Sequence, residues 1–205
     1  HFKDVFDAIR DPTKIVVVQH APAVSVTIGE MFGARSGVDV AGVLNAALRR
    51  LGFDYVFDTS FAADLTIMEE ATELVRRIQK GGALPLMTSC CPAWVDFAEQ
   101  EFADLLPNLS SCKSPQLMLG AVLKSVFAAR NKVKPEDVFV VSIMPCTAKK
   151  FESASPERRH EGQPDVDAVL TTRELARIIR MRGLDLRDMA AGPPDNPFGE
   201  RSSAG

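Results

Sequence analysis

DVFVVSIMPC, residues 137–146, is the stretch on which the fold turns. Its unbroken apolar and β-branched run reads as a buried strand that delivers Cys146 at its carboxyl end. Working outward, SPQLMLGAVLKSVFAARN (114–131) before it reads as a helix, with Ser114 as cap and Pro115 in the first turn. After it, DAVLTT (167–172) reads as another strand and RELARIIRMRG (173–183) as a helix stopped by Gly183. The first half repeats the scheme. KIVVVQ (14–19) is a strand ended by HAPA, whose Pro22 cannot donate to a sheet ladder. VAGVLNAALRRLG (40–52) is a helix, DYVFD (54–58) a strand, and FAADLTIMEEATELVRRIQKGG (61–82) a long helix closed by a glycine pair. LPLMTS (84–89) reads as a short apolar strand, and PAWVDFAEQEF starts a helix with Pro92 at its first position. This alternation predicts an α/β fold with mostly parallel sheets flanked by helices. Cysteines at the carboxyl ends of such strands stand where ligands bind.

Bulk properties narrow the function. A net charge of −3 with both signs interspersed leaves no nucleic-acid footprint. No apolar run is long enough to span a membrane. Four unevenly spaced cysteines do not read as a secreted disulfide framework, so a reducing cytoplasm is the expected compartment. The chain begins at His1 and stops in PFGERSSAG, and is expected to be a portion of a longer protein.

The chemistry centres on MTSCCPAWV (87–95), where Cys90 and Cys91 are adjacent. Consecutive side chains diverge, so the pair does not serve one metal cage. Cys91 precedes a helix, whose dipole favours a thiolate. Cys146 sits at a strand end in MPCTAKK. Zinc or an iron–sulfur cluster needs about four ligands, and this spacing offers two, which leaves a metal site and ordinary buried thiols both open. Cys112 in LSSCKSP reads as a small buried hydrophobe. Glu70 and Glu73 are three apart on one helix beside Glu69; they form either a solvated face or, next to Ile67, Met68 and Leu74, a boundary group. Lys149 reads either as a surface lysine or as a donor to an anionic ligand. His1, His20 and His160 make no metal spacing, and only His20 lies near the strand ends.

Taken together, TSCCPAW (88–94) and MPCTAKKFE (144–152) resemble the first two of three signature motifs of the [FeFe]-hydrogenase catalytic domain. VVVQHAPAVSVTIGE, FDTSFAADLTIMEEATE, LSSCKSPQ and PDVDAVLTTRELA are similar to that family in the same order, over essentially the whole chain. The resemblance implies a two-lobed domain, with a first lobe over about residues 1–135 and an incomplete second lobe over 136–205, without the accessory iron–sulfur domains. It implies an oxidoreductase of anaerobic hydrogen metabolism, interconverting H2 with protons and electrons. The cofactor would be an H-cluster: a [4Fe–4S] cube joined through a cysteine sulfur to a two-iron unit with CO, cyanide and an azadithiolate bridge.

Carried over by position, the resemblance makes Cys91 and Cys146 two of the four cube ligands, while Cys90 faces the bridge amine as proton donor. Protons would then pass through water to Glu70, Ser110 and Glu73. Lys149 would bond one cyanide and the backbone at Pro22 and Ala23 the other, with Met144 and Gln116 lining the pocket. The third motif, with the remaining ligands, is absent, so this chain by itself is not expected to assemble an active H-cluster and needs a completing portion or chain. Implied partners are H2, protons, and a ferredoxin or NAD-linked electron-transfer subunit. Alternatives are a hydrogenase-like H2 sensor, an iron–sulfur assembly protein, or an inert remnant. The relay residues favour turnover over sensing, and Cys90 argues against the assembly reading.

Overall fold

The computed structural model describes residues 1–156 and 162–195; His160 and the PFGERSSAG end lie outside them. Helix α1 (Phe2–Arg10) leads into strand β1 (Ile15–His20), the helical turn α2 (Pro22–Ser25), helix α3 (Ala41–Leu51), strand β2 (Tyr55–Asp58) and the long helix α4 (Ser60–Lys80). Helix α5 (Pro92–Glu101) follows. Then α6 (Pro115–Val122) and α7 (Ala128–Asn131) are joined by a π-helical turn over Leu123–Phe127. Strand β3 (Val138–Met144), helix α8 (Ala148–Ala154), strand β4 (Ala168–Thr171) and helix α9 (Thr172–Met181) complete the regular elements.

The four strands form one parallel sheet in the order β2-β1-β3-β4. A parallel sheet is covered by helices on both faces, which is why its strands are apolar at successive positions rather than alternating. Every residue of β3 except Phe139 is buried. Its side chains divide between two cores. Val141 and Ile143 join Val16 and Val18 against Leu44 and Leu48 of α3 and Leu175 and Ile179 of α9. Val140 and Met144 face the other way with Val17, against Leu117 and Leu119 of α6, Leu123 and Phe127. Gly52 ends α3 at φ 106°, a left-handed turn open to glycine.

Two expectations, on LPLMTS and on Ser114, need correction. LPLMTS (84–89) is not a strand: Met87 makes a single parallel bridge with Leu109. Its hydrogen bonds go to the facing loop, Met87 N–H to Asn108 O at 2.8 Å and Ser110 N–H to Met87 O at 2.7 Å, so no ladder propagates. The sheet itself is continuous across residue 135, since β1 and β3 pair over six positions, from Ile15↔Val138 to His20↔Ile143. Second, Ser114 stands at the N-cap of α6 but makes no side-chain cap bond. Its hydroxyl donates instead to Glu152 at 2.9 Å. A complete cap is found at α9, where Thr171 and Glu174 form a capping box.

Helix α6 lies so close to the loop before β4 that a Cβ on Gly120 would run into the Asp165 carbonyl. Gly120→Ala is therefore expected to destabilise the fold by about 1–3 kcal/mol, read as a lowered denaturant midpoint; an unchanged midpoint would show that the helix can move away.

Candidate functional site

Strand order reverses between β1 and β3, and the crevice outside the carboxyl ends at such a switch point is where open α/β sheets bind ligands. The β1–β3 register continues past the strands, with Ala21 N–H donating to Ile143 O at 3.1 Å. This brings Pro22 and Ala23, both exposed at the start of α2, to the edge where β3 ends in buried Met144 and half-buried Cys146. The double cysteine reaches the same region. Cys91 is the residue before α5 and Pro92 its first residue, and α5 packs on α8, so the helices that follow Cys91 and Cys146 lie against each other.

A buried carboxylate joins the two motifs. Glu152 on α8 is 1% exposed. Its Oε2 accepts from Lys149 Nζ at 2.9 Å, Ser114 Oγ at 2.9 Å and Gln116 Nε2 at 2.7 Å. Lys149 Nζ donates at the same time to the Cys90 carbonyl at 2.6 Å, across 59 residues of chain. Gln116 is buried, its Nε2 also reaches Lys149 O at 3.2 Å, and among the described residues its Oε1 has no hydrogen-bond partner.

A second cluster gathers around Glu73 on α4. Ser110 Oγ donates to Glu73 Oε2 at 2.9 Å, and the Ser111 N–H reaches the same oxygen at 3.1 Å. Arg77, one turn on, donates to Glu73 Oε1 from Nη2 at 2.6 Å and from Nε at 3.1 Å. The same guanidinium holds the carbonyls of Ala83, Pro107, Asn108 and Leu109, fastening the loop that carries Ser110. Burial alone would raise the Glu73 carboxyl. The bonds from Arg77, Ser110 and Ser111 outweigh it and hold Glu73 below its ordinary 4.5. Ser89 Oγ, next to Cys90, donates to Ser110 O at 2.8 Å and ties the cysteine segment to this cluster.

The predicted residues therefore fall into two bonded groups, Cys90 with Lys149 and Gln116 through Glu152, and Ser110 with Glu73. Glu70 is half-buried on α4 one turn before Glu73, and among the described residues no hydrogen bond joins it to Cys90, Ser110 or Glu73. Cys112 is not the buried hydrophobe expected. It is half-buried, with its Sγ 4.0 Å from Glu73 Oε2. Burial and then the charges of Glu73, Glu70 and Glu69 push its thiol above the usual 9.0 against a lowering bond from Ser110. His20 is buried, with Nε2 2.8 Å from Asn45 Oδ1. Sequence reasoning missed Arg77, Ser114 and the role of Glu152. The i,i+4 spacing of Glu73 and Arg77 and the i,i+3 spacing of Lys149 and Glu152 were the available signals.

All four cysteines are free thiols, and Cys90 and Cys91 are exposed. With a cationic Lys149 and the orphaned Gln116 Oε1 beside them, these residues fit one side of an anionic iron–sulfur cofactor. They do not make a closed cage, because no three His, Cys, Asp or Glu side chains cluster as metal ligands among the described residues.

Fold and site thus define an α/β protein whose switch point gathers thiol, lysine and amide groups. The chain belongs to the iron-only hydrogenase large subunit family, whose C-terminal domain model matches residues 14–205. It is 47% identical to iron hydrogenase 1 of Clostridium pasteurianum over 205 residues, covering all of this chain and 36% of that protein. An apo [FeFe]-hydrogenase HydA1 structure from Chlamydomonas reinhardtii superposes with a TM-score of 0.89 at 43% identity, over 98% of this chain and 52% of that one. A cytosolic iron–sulfur assembly component 3 of Bos taurus is 33% identical over 197 residues, 92% of this chain and 41% of that protein. The chain spans well under half the length of these curated relatives. No helix among the described residues is long and apolar enough to cross a membrane.

The Glu73 cluster sets an acid limit. A carboxyl depressed in the folded state contributes stability above its unfolded value, and this is lost as pH falls through the folded one. Glu73→Gln is expected to flatten the fall in melting temperature below about pH 4.5; an identical acid slope in wild type and variant would show that the cluster contributes nothing there.

Proposed function

We propose that this chain is a portion of an [FeFe]-hydrogenase catalytic domain, interconverting H2 with protons and electrons once the remaining ligands are supplied by a completing portion. The observation that carries the reading is the Lys149–Cys90 bond with its Glu152 anchor, which unites the two matched motifs in one site. When bound, the H-cluster supplies the metal centre for H2 cleavage and formation and the path for electrons.

Cys91 and Cys146 would hold two corners of the [4Fe–4S] cube, and Cys90, the neighbouring thiol, would hold the proton at its Sγ for delivery to the two-iron unit. Lys149 has three N–H donors, two of them engaged by Glu152 and Cys90 O; the third is assigned to a cyanide. The backbone at Pro22 and Ala23 would receive the second cyanide, with the Ala23 N–H as the donor because Pro22 has none, and Met144 and Gln116 would line the pocket.

Glu70 takes protons from Cys90 through water and passes them to Ser110. The Ser110 hydroxyl donates to Glu73 at 2.9 Å and would pass its proton there as it takes one from Glu70, while the Cys112 N–H, at 3.1 Å, holds the hydroxyl in place. Arg77 keeps Glu73 ionised and ready to accept.

These stations support turnover rather than H2 sensing, and Cys90 separates the chain from an assembly role. We place it in the cytoplasm, in keeping with its free thiols, with a ferredoxin or NAD-linked subunit as electron partner.

In the full-length, anaerobically matured protein, Cys90→Ser and Ser110→Ala should each lower H2 evolution by about 10²-fold or more with the cluster spectra retained. Wild-type turnover in either variant would remove that residue from the relay. Cys91→Ala should lose the cube, and unchanged iron content would contradict its assignment as ligand.

A further inference from the structure

Glu152 is a carboxylate buried beside the site, and the proton relay makes no use of it. Burying a charge is costly unless it is paired and hydrogen-bonded, and a well-packed apolar residue often serves stability as well or better. Glu152 meets both conditions with three donors on Oε2: Lys149 Nζ, Ser114 Oγ and Gln116 Nε2.

Two consequences follow from the chemistry of that oxygen. An ionised carboxylate only accepts hydrogen bonds, so it draws the NH2 of Gln116 toward itself and leaves Oε1 as the amide's outward group. That Oε1 is buried and has no hydrogen-bond partner among the described residues. The same oxygen fixes the Lys149 ammonium, which in turn grips the Cys90 carbonyl. Ser114 forgoes the ordinary helix cap in favour of Glu152, which pins the start of α6 to α8.

We infer that Glu152 is a positioning residue: through one oxygen it sets the placement of the Lys149 charge, the polarity of the Gln116 amide and, through Lys149, the backbone of the double-cysteine turn. This rests on the proposed hydrogenase reading for what Lys149 and Gln116 face, but not for the link from Glu152 to Cys90. Glu152→Gln keeps the shape and removes the obligatory acceptor. The Gln116 amide is then free to turn over, and Lys149 loses the anion that anchors it.

The test uses the full-length protein in two states. In the cofactor-free protein, iodoacetamide labelling of the Cys90–Cys91 pair is followed by mass spectrometry, with Cys112 as internal reference. Glu152→Gln and Lys149→Met are each expected to speed labelling of the pair roughly tenfold, the factor for losing one charge-assisted hydrogen bond, and to leave Cys112 unchanged. Equal rates in wild type and Glu152→Gln would overturn the inference. So would faster labelling at every cysteine, since that is the mark of general loosening and a purely structural role.

In the matured protein, infrared spectra should show a shifted cyanide band in Glu152→Gln at unchanged iron content. Lys149→Met alone should shift that band at least as far, and adding Glu152→Gln to it should give little further shift, because the lysine that Glu152 positions is then gone. Unshifted bands, or shifts that simply add, would contradict the inference. If the unsubstituted protein showed no CO or cyanide bands, the hydrogenase reading would fall, and the labelling rates alone would decide the part played by Glu152.

Discussion

The parallel pairing of β1 with β3 is the constraint on which the rest depends. Six consecutive register positions lock these strands at the centre of the sheet, and Ala21 extends the ladder to Ile143. Their carboxyl ends cannot part without breaking buried hydrogen bonds in a core closed on both faces. Everything placed at the switch point inherits that rigidity: the turn at Pro22 and Ala23 on one side, Met144 and Cys146 on the other. α8 leaves the same edge and carries Lys149 and Glu152, so the second motif is mounted at the end of the central strand β3. A site held this way needs little rearrangement to bind a rigid metallocentre.

The double-cysteine turn has no strand to hold it, and polar groups do the work instead. On one flank, Lys149 and Glu152 clamp the Cys90 backbone to α8. On the other, Ser89 fastens it to the Ser110 loop, which Arg77 in turn fastens to α4. The two carboxylates in these networks have opposite characters. Glu152 is enclosed and surrounded by donors, suited to holding geometry. Glu73 is partly exposed, at 17% of its side chain, and paired with Arg77, suited to exchanging protons with the outside. In the proposed relay, orientation and proton traffic would thus fall to different carboxylates.

Much of this was legible in the sequence. The runs at 14–19, 54–58, 137–146 and 167–172 appeared as strands because both faces of each are covered, and the helix stops at Gly52 and after Lys80 follow from glycine's conformational freedom. LPLMTS failed because a short apolar run looks the same whether it pairs in a sheet or lies against a loop; its partner, residues 108–110, carries no strand signal. The sheet's continuity across residue 135 was hidden because register between distant strands leaves no local trace. Ser114 was misjudged for a related reason. Its cap role depends on what lies nearby in sequence, and its actual partner, Glu152, is 38 residues away. The site's residue types were readable, whereas Arg77 passed for an ordinary basic residue at a helix end until the loop it binds was in view.

The central claim is that this chain furnishes one side of an H-cluster and that its other ligands come from a completing portion. The most direct measurement is infrared spectroscopy in the CO and cyanide stretching region, beside an iron count, on the anaerobically matured chain alone and on the protein with that portion present. The account predicts CO and cyanide bands only in the completed protein. A full set of bands from the chain alone would contradict the division of ligands, and their absence from the completed protein would contradict the hydrogenase reading itself.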